Sequence, residues 1–160
     1  MLNFIGKYDA KLDVKGRVFV PSSYRKLLSD KDKECLVLRR DPDNKYLVLY
    51  PVSVWEDVVN QLKSSLDEWD SEDKMLLMQF VSDAEWLDID SQGRILVSKR
   101  NLQNISAEGS DMIFVGMLDR IAIWSKSAYE QAMLPNPDFS SLLKSKMVKK
   151  RSEERRVGKE

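Results

Sequence analysis

The stretch Asp13-Val14-Lys15-Gly16-Arg17-Val18-Phe19-Val20 returns 77 positions later as Asp90-Ser91-Gln92-Gly93-Arg94-Ile95-Leu96-Val97. Aspartate, glycine and arginine are identical, and the residues after them match in apolar character. Working outward, Leu36-Val37 corresponds to Ile113-Phe114 at the same offset. The offset then becomes 74, so that Leu47-Val48-Leu49-Tyr50 matches Ile121-Ala122-Ile123-Trp124 and Trp55 matches Tyr129. This pattern predicts a deletion confined to one loop, the connection of a hairpin. A repeat of this length governs the whole architecture and is read before any single motif.

Both copies carry the same order of elements. A strand enters the Asp-x-x-Gly-Arg turn and a β-branched and aromatic run leaves it. A helical turn follows, over 22–28 and over 99–105. Two strands come next, joined by short turns at Asp41-Pro42-Asp43-Asn44 and Met117-Leu118-Asp119-Arg120. An amphipathic helix closes each copy. In the first, Ser53 and Glu56 have capping-box spacing, and Trp55, Val58, Val59, Leu62 and Leu66 share a face. In the second, a helix from Ser125 to Met133 stops before Pro135. A linking helix is expected over 71–81, carrying Met75, Leu76, Met78 and Phe80. The expected organisation is a first repeat over 1–66, a helical link over 67–81, a second repeat over 82–134 and a polar segment over 135–150. Each copy alone is marginal in size for an independent core. The two should therefore bury their apolar faces against each other in one pseudo-two-fold domain, mainly β with α-helices (α+β).

Composition narrows the chemistry. Hydrophobic residues make up 42% and charged residues 32%, ordinary values for a globular protein. The apolar runs are too short to span a bilayer, and the N-terminal stretch lacks export-signal features, so a cytoplasmic location is expected. There is no histidine and one cysteine, Cys35, beside the apolar run Leu36-Val37-Leu38, where it reads as a buried, inert strand residue. Histidine-based triads and ordinary transition-metal sites are excluded, and no metal or cofactor is expected. Basic and acidic residues are equal in number, at 26 each, which leaves room for a local basic face but not for a uniformly basic surface.

In the turn, Asp13 and Asp90 can accept backbone N–H groups two residues on, and Gly16 and Gly93 can take positive φ. The flanking strands are expected to run as a pair from the tip, as in a β-hairpin. A turn needs the aspartate and glycine; it does not need arginine in the next position. Retention of Arg17 and Arg94 in both copies, with Lys15 and Gln92 two places before them, points to a shared contact. A two-stranded ribbon fits the major groove of DNA, where a guanidinium pairs with two guanine acceptors or with phosphate. Lys15 would attract phosphate and Gln92 could bond adenine or phosphate. A carboxylate-pair enzyme built on Asp13 and Asp90 lacks a further repeated polar group. The competing binding reading is a protein-interaction module, with methionine and tryptophan at the interface. Of Trp55, Trp69, Trp86 and Trp124, most are expected to be packed.

These residues resemble the MraZ family of transcriptional regulators over nearly all of 1–134. The marks are Phe4-Ile5-Gly6, Leu12-Asp13-Val14-Lys15-Gly16-Arg17-Val18 with Pro21, Leu49-Tyr50-Pro51 before Trp55, Ile89-Asp90-Ser91-Gln92-Gly93-Arg94-Ile95, Val115-Gly116 and Ile123-Trp124. The resemblance implies a fused pair of swapped-hairpin modules similar to AbrB and SpoVT, assembled as a homo-oligomeric ring. It also implies binding to short direct DNA repeats upstream of a bacterial division and cell-wall gene cluster, association with the nucleoid, and DNA contact through Arg17 and Arg94. Two departures are visible: Ser98 stands where the family often has proline, and the link around 76–81 aligns poorly. The last ten residues, Arg151 to Glu160, match the in-frame translation of a common sequencing adapter and are set aside as an artefact.

Overall fold

Strands β3 (Leu36–Arg40), β4 (Leu47–Pro51), β7 (Asp111–Gly116) and β8 (Ile121–Ser125) are apolar on both faces. Alternation along them sends Leu36, Leu38, Leu47, Leu49, Met112, Phe114, Ile121 and Ile123 to one core, while Val37, Val48, Ile113 and Ala122 pack on the opposite side. A sheet covered on both faces has no polar edge to its pattern, which is why these runs read as continuous. The computed structural model describes residues 3–43 and 45–157. The first repeat and the second as far as Tyr129 lie in one compact unit, Met1–Tyr129, and Glu130–Glu160 form a second.

The other strands of the first unit are β1 (Lys7–Lys11), β2 (Arg17–Phe19), β5 (Glu85–Leu87) and β6 (Arg94–Leu96). Six strands form an antiparallel sheet in the order β1-β7-β8-β4-β3-β5, and β2 pairs with β6 in a separate ribbon. The order is its own mirror when the copies are exchanged. The first strand of each copy lies against the third strand of the other: Ala10 faces Met112, and Leu87 faces Leu36. Two pairs mark the pseudo-two-fold axis, Val48 with Ala122 and Val18 with Ile95. The expected duplicated, strand-exchanged α+β architecture is the one observed.

The short helices α1 (Ser22–Arg25) and α5 (Lys99–Asn104) cover the core beneath the ribbon, with Tyr24, Leu28 and Ile105 buried in it. The hydroxyl of Tyr24 donates to Gly6 O at 2.5 Å, and desolvation pushes its pKa up to about 12. On the other face, helix α3 (Val52–Ser65) lays Val54 and Trp55 on the sheet, and the linking helix α4 (Ser71–Ser82) brings Phe80 to stack on Trp55. Helix α6 (Lys126–Ala132) follows β8, and Tyr129 meets Trp124 as Trp55 meets Tyr50 in the first copy. Copy one also has helix α2 (Asp30–Glu34). In the second unit, α7 (Asn136–Val157) makes a helix of the polar segment expected over 135–150 and continues beyond it. Helical residues outnumber strand residues, chiefly through α3, α4 and α7. Among the described residues no helix is long and apolar enough to cross a membrane.

Several expectations are corrected. Structural equivalence places Leu36 with Met112, not Ile113, because both face the corresponding first-strand residue, Leu87 or Ala10. The amides of Ile89 and Leu12 donate to Lys33 O and Ser110 O, which still match at the original offset. The first lost residue therefore falls at Glu34-Cys35, opposite Asp111 alone, and only the remainder is lost in the hairpin turn. A one-residue slip would have turned every side chain to the wrong face. Cys35 is the half-exposed C-cap of α2, not a buried strand residue. Ser53 forms no capping box, because the chain passes straight from β4 through Pro51 into α3 and leaves Ser53 inside the first turn. The capping box is at Ser29 and Asp32. Trp55 and Trp124 are buried, whereas Trp69 and Trp86 are 81% and 67% exposed, so the tryptophans divide evenly. The turn expected over 41–44 is closed by Asp41 N donating to Tyr46 O; Asn44 lies outside the described residues.

Sequence reading also missed Arg39. It is buried, with Nε donating to Phe80 O at 3.0 Å and the guanidinium 3.9 Å from the Phe80 ring centre, which ties α4 to the sheet. Shortening Ile95, which is fully buried on the axis, should destabilise both copies together. Ile95→Ala is expected to cost about 2–5 kcal/mol in one cooperative urea transition; separate transitions for the two copies would contradict a shared core.

Candidate nucleic-acid interface

The two Asp-x-x-Gly-Arg loops are built by the same bonds. In the first, Asp13 Oδ1 accepts from Lys15 N at 2.9 Å and Arg17 N at 2.8 Å, and Oδ2 accepts from Arg17 Nε at 2.7 Å. In the second, Asp90 Oδ1 accepts from Gln92 N and Arg94 N, both at 2.9 Å, and Oδ2 accepts from Arg94 Nε at 2.9 Å. Each loop is closed by the aspartate amide donating to the arginine carbonyl and the glycine amide to the aspartate carbonyl. Gly16 and Gly93 both have φ +87°, a conformation glycine alone adopts without strain. The carboxylates of Asp13 and Asp90 are held below the usual aspartate range, first by the backbone N–H of Arg17 or Arg94 and then by the guanidinium.

The loops are not hairpins. The strands on either side of each turn do not continue as a pair, because β1 goes to β7 and β2 goes to β6. The loops therefore enter the β2–β6 ribbon at opposite ends. Val18 and Ile95 point into the core, and their neighbours Arg17, Phe19, Arg94 and Leu96 lie on the other side of the ribbon. Phe19 and Leu96 are 55% and 54% exposed, and the Arg94 guanidinium lies 6.0 Å from the Phe19 ring centre. Lys15 and Gln92 are exposed beside them. All eight residues singled out in the repeat are thus brought to one ribbon and its two loops. Phe19 and Leu96 were missed as surface groups; period-two alternation from buried Val18 and Ile95 was the available signal.

The surroundings of the loops differ. Val20 N donates to Gly93 O at 2.9 Å and Val97 N to Gly16 O at 2.8 Å, so each loop is anchored by the other copy. A Cβ on Gly16 would come 2.7 Å from the backbone oxygen of Val97; on Gly93 it would meet the guanidinium of Arg25. Ser98, the departure from proline, caps α5 by accepting from Asn101 N at 3.2 Å, a bond that Pro21 does not make for α1. An open hollow beside the first loop is lined by Lys15, Gly16, Leu96, Lys99 and Leu102. Among the described residues no cluster of metal-binding side chains occurs.

The family model described as "MraZ protein, putative antitoxin-like" matches residues 3–78 and 80–146. The chain belongs to the MraZ family. Its relatives include the transcriptional regulator MraZ of Bacteroides thetaiotaomicron, 41% identical over 143 residues, 89% of this chain and 91% of that protein. The transcriptional regulator MraZ of Phocaeicola vulgatus is 41% identical over 142 residues, 89% of this chain and 92% of that protein. That of Lachnoclostridium phytofermentans is 36% identical over 135 residues, 84% and 90% of the two chains. The two stretches matched by the MraZ model contain the two loops, one in each.

Because the folded loops favour the ionised aspartates, their stabilisation is complete above the ordinary aspartate value of 3.8 and is lost as pH falls through the lower folded values. Carboxyl NMR titration should place both groups below 3.8, with the Lys15 and Gln92 amide signals moving in step. Ordinary titration of either would contradict the bonding described. Gly16→Ala and Gly93→Ala should each lose about 1–3 kcal/mol to backbone strain. Gly16→Ala should lose more, because a backbone carbonyl cannot move aside as the Arg25 side chain can.

Proposed function

We propose that this protein is a sequence-specific regulator of transcription that grips double-stranded DNA with the Asp13–Arg17 and Asp90–Arg94 loops. The observation that carries this reading is the twofold construction of one loop in which an aspartate holds Arg Nε, with the arginines on the outward side of a two-stranded ribbon. Nε is occupied and the two terminal nitrogens of each guanidinium remain for a ligand, the arrangement suited to guanine or phosphate. Lys15 adds phosphate attraction and Gln92 a contact to adenine or phosphate. Phe19 and Leu96 offer apolar surface for thymine methyl groups. The names of the MraZ relatives, all transcriptional regulators, support a regulatory role in place of an enzymatic one.

The expected site is a set of short direct repeats upstream of a division and cell-wall gene cluster, bound in the cytoplasm at the nucleoid. One neutral subunit offers few phosphate contacts and binds weakly; a homo-oligomeric ring multiplies them through effective concentration. The exposed Trp86 on the β5 edge, with Met75 and Met78 on α4, is apolar surface available for such assembly. Residues 151–160 are given no part in the function.

A mobility-shift titration at two salt concentrations, with duplexes carrying the upstream repeats and random duplexes, tests the reading. Arg17→Ala and Arg94→Ala should each weaken specific binding by about 1–3 kcal/mol, roughly tenfold to a hundredfold, without lowering the melting temperature enough to unfold the protein. Equal binding of wild type to repeat and random DNA would remove the regulator reading.

A further inference from the structure

The two loops carry different charge. Around the first, Lys15 and Arg17 stand with Asp13, Lys99 lines the hollow beside them, and Lys11 is 3.9 Å from Asp111. Around the second, Arg94 is held by Asp90, and Gln92 is neutral. Left to itself, the second loop has no net charge to draw a phosphate. The structure brings one further cation to it, from the other copy. Arg25, at the end of α1, donates Nε to Val20 O at 2.9 Å, while Val20 N donates to Gly93 O. Its guanidinium lies where a Gly93 side chain would stand, within 2.7 Å of that Cβ position at both Nη1 and Cζ. The equivalent position in the second copy is Leu102, which lines the hollow by Gly16, so the first loop has no such guanidinium.

We infer that Arg25 is a third DNA-contacting arginine, a phosphate clamp that belongs to the second loop and makes the two loops unequal partners in binding. The inference rests on the DNA-reading role proposed above for the loops. Nε is held by Val20, and the group fills the space where a Gly93 side chain would stand, so the side chain is already ordered; its terminal nitrogens are the donors for phosphate. Gly93 is required twice, once for its positive φ and once because any side chain would displace this guanidinium. The first loop draws its charge instead from Lys15 and Lys99.

The test measures binding of the intact protein to the repeat duplex and to random DNA across a salt series, for wild type, Arg25→Gln and Arg25→Lys, with melting temperatures for each. Arg25→Gln should weaken binding roughly three- to tenfold on both duplexes and flatten the log–log salt dependence by about 0.9, one phosphate contact. Arg25→Lys keeps the charge and loses the fork, so it should regain the wild-type slope although its melting temperature falls with that of the glutamine variant. If both variants lose affinity equally and follow their melting temperatures, Arg25 only props the loop and the inference fails. If Arg25→Gln binds like wild type, it fails also. Should the glutamine variant not fold, the Arg25 guanidinium signals of the wild-type protein, followed by NMR on adding the repeat duplex, replace it: they should shift, and signals unchanged at saturation overturn the inference. Absence of repeat-specific binding by wild type would instead strike the DNA-reading role itself, a result distinguishable from all of these.

Discussion

The pairing of Val18 with Ile95 across the pseudo-axis is the contact on which the rest of the molecule depends. Each copy's first strand leaves its own module to lie on the third strand of the other, so neither copy holds a complete sheet. The ribbon is one of two places where equivalent segments meet directly, β4 against β8 being the other. Burying two β-branched side chains there contributes on the order of 1.5–3 kcal/mol each. The same pairing fixes where the arginines point: if Val18 and Ile95 face inward, Arg17 and Arg94 must face outward. Core packing and the orientation of the candidate DNA contacts are one constraint.

That constraint also explains which differences between the copies are tolerated. Residues have been lost at Glu34-Cys35 and in the hairpin turn, both away from the axis. Within the ribbon and across the Val48–Ala122 pair the spacing is unchanged, because a slip there would expose one copy's apolar face while burying its polar one.

The duplication, the strand order within each copy and all eight loop residues were legible in the sequence because a turn of this kind needs particular chemistry at fixed positions. The register of the third strand was not. Leu36 can be matched to Met112 or to Ile113 with equal plausibility when the run after each is apolar, and only pairing with Leu87 and Ala10 decides. The exchange of first strands could not be read from pattern and came from family resemblance. Trp69 and Trp86 failed for a related reason: a large aromatic side chain says that surface will be covered somewhere, not that this chain covers it. Arg39 and Arg25 were missed because each works through a partner distant in sequence, Phe80 in one case and Gly93 in the other.

Duplication has conserved the bonds inside each loop more strictly than the residues around it. Tyr24 reaches Gly6 O, whereas its equivalent Asn101 is buried with Nδ2 unpaired among the described residues. Pro21 becomes Ser98, and Arg25 becomes Leu102. The internal bonds have a reason to persist. A free arginine loses rotamer freedom when it meets a ligand, about 0.5–1.5 kcal/mol for an ordered long side chain. Here the aspartate has already fixed Nε, so that ordering cost falls on folding and not on binding. The neutralising carboxylate works in the opposite direction, since it cancels part of the attraction for phosphate. A loop built this way gains direction at the expense of long-range charge, and its net charge must then come from neighbours: Lys15 and Lys99 on one side, Arg25 on the other. Divergence around a conserved loop is the route by which two copies of one motif acquire different charge.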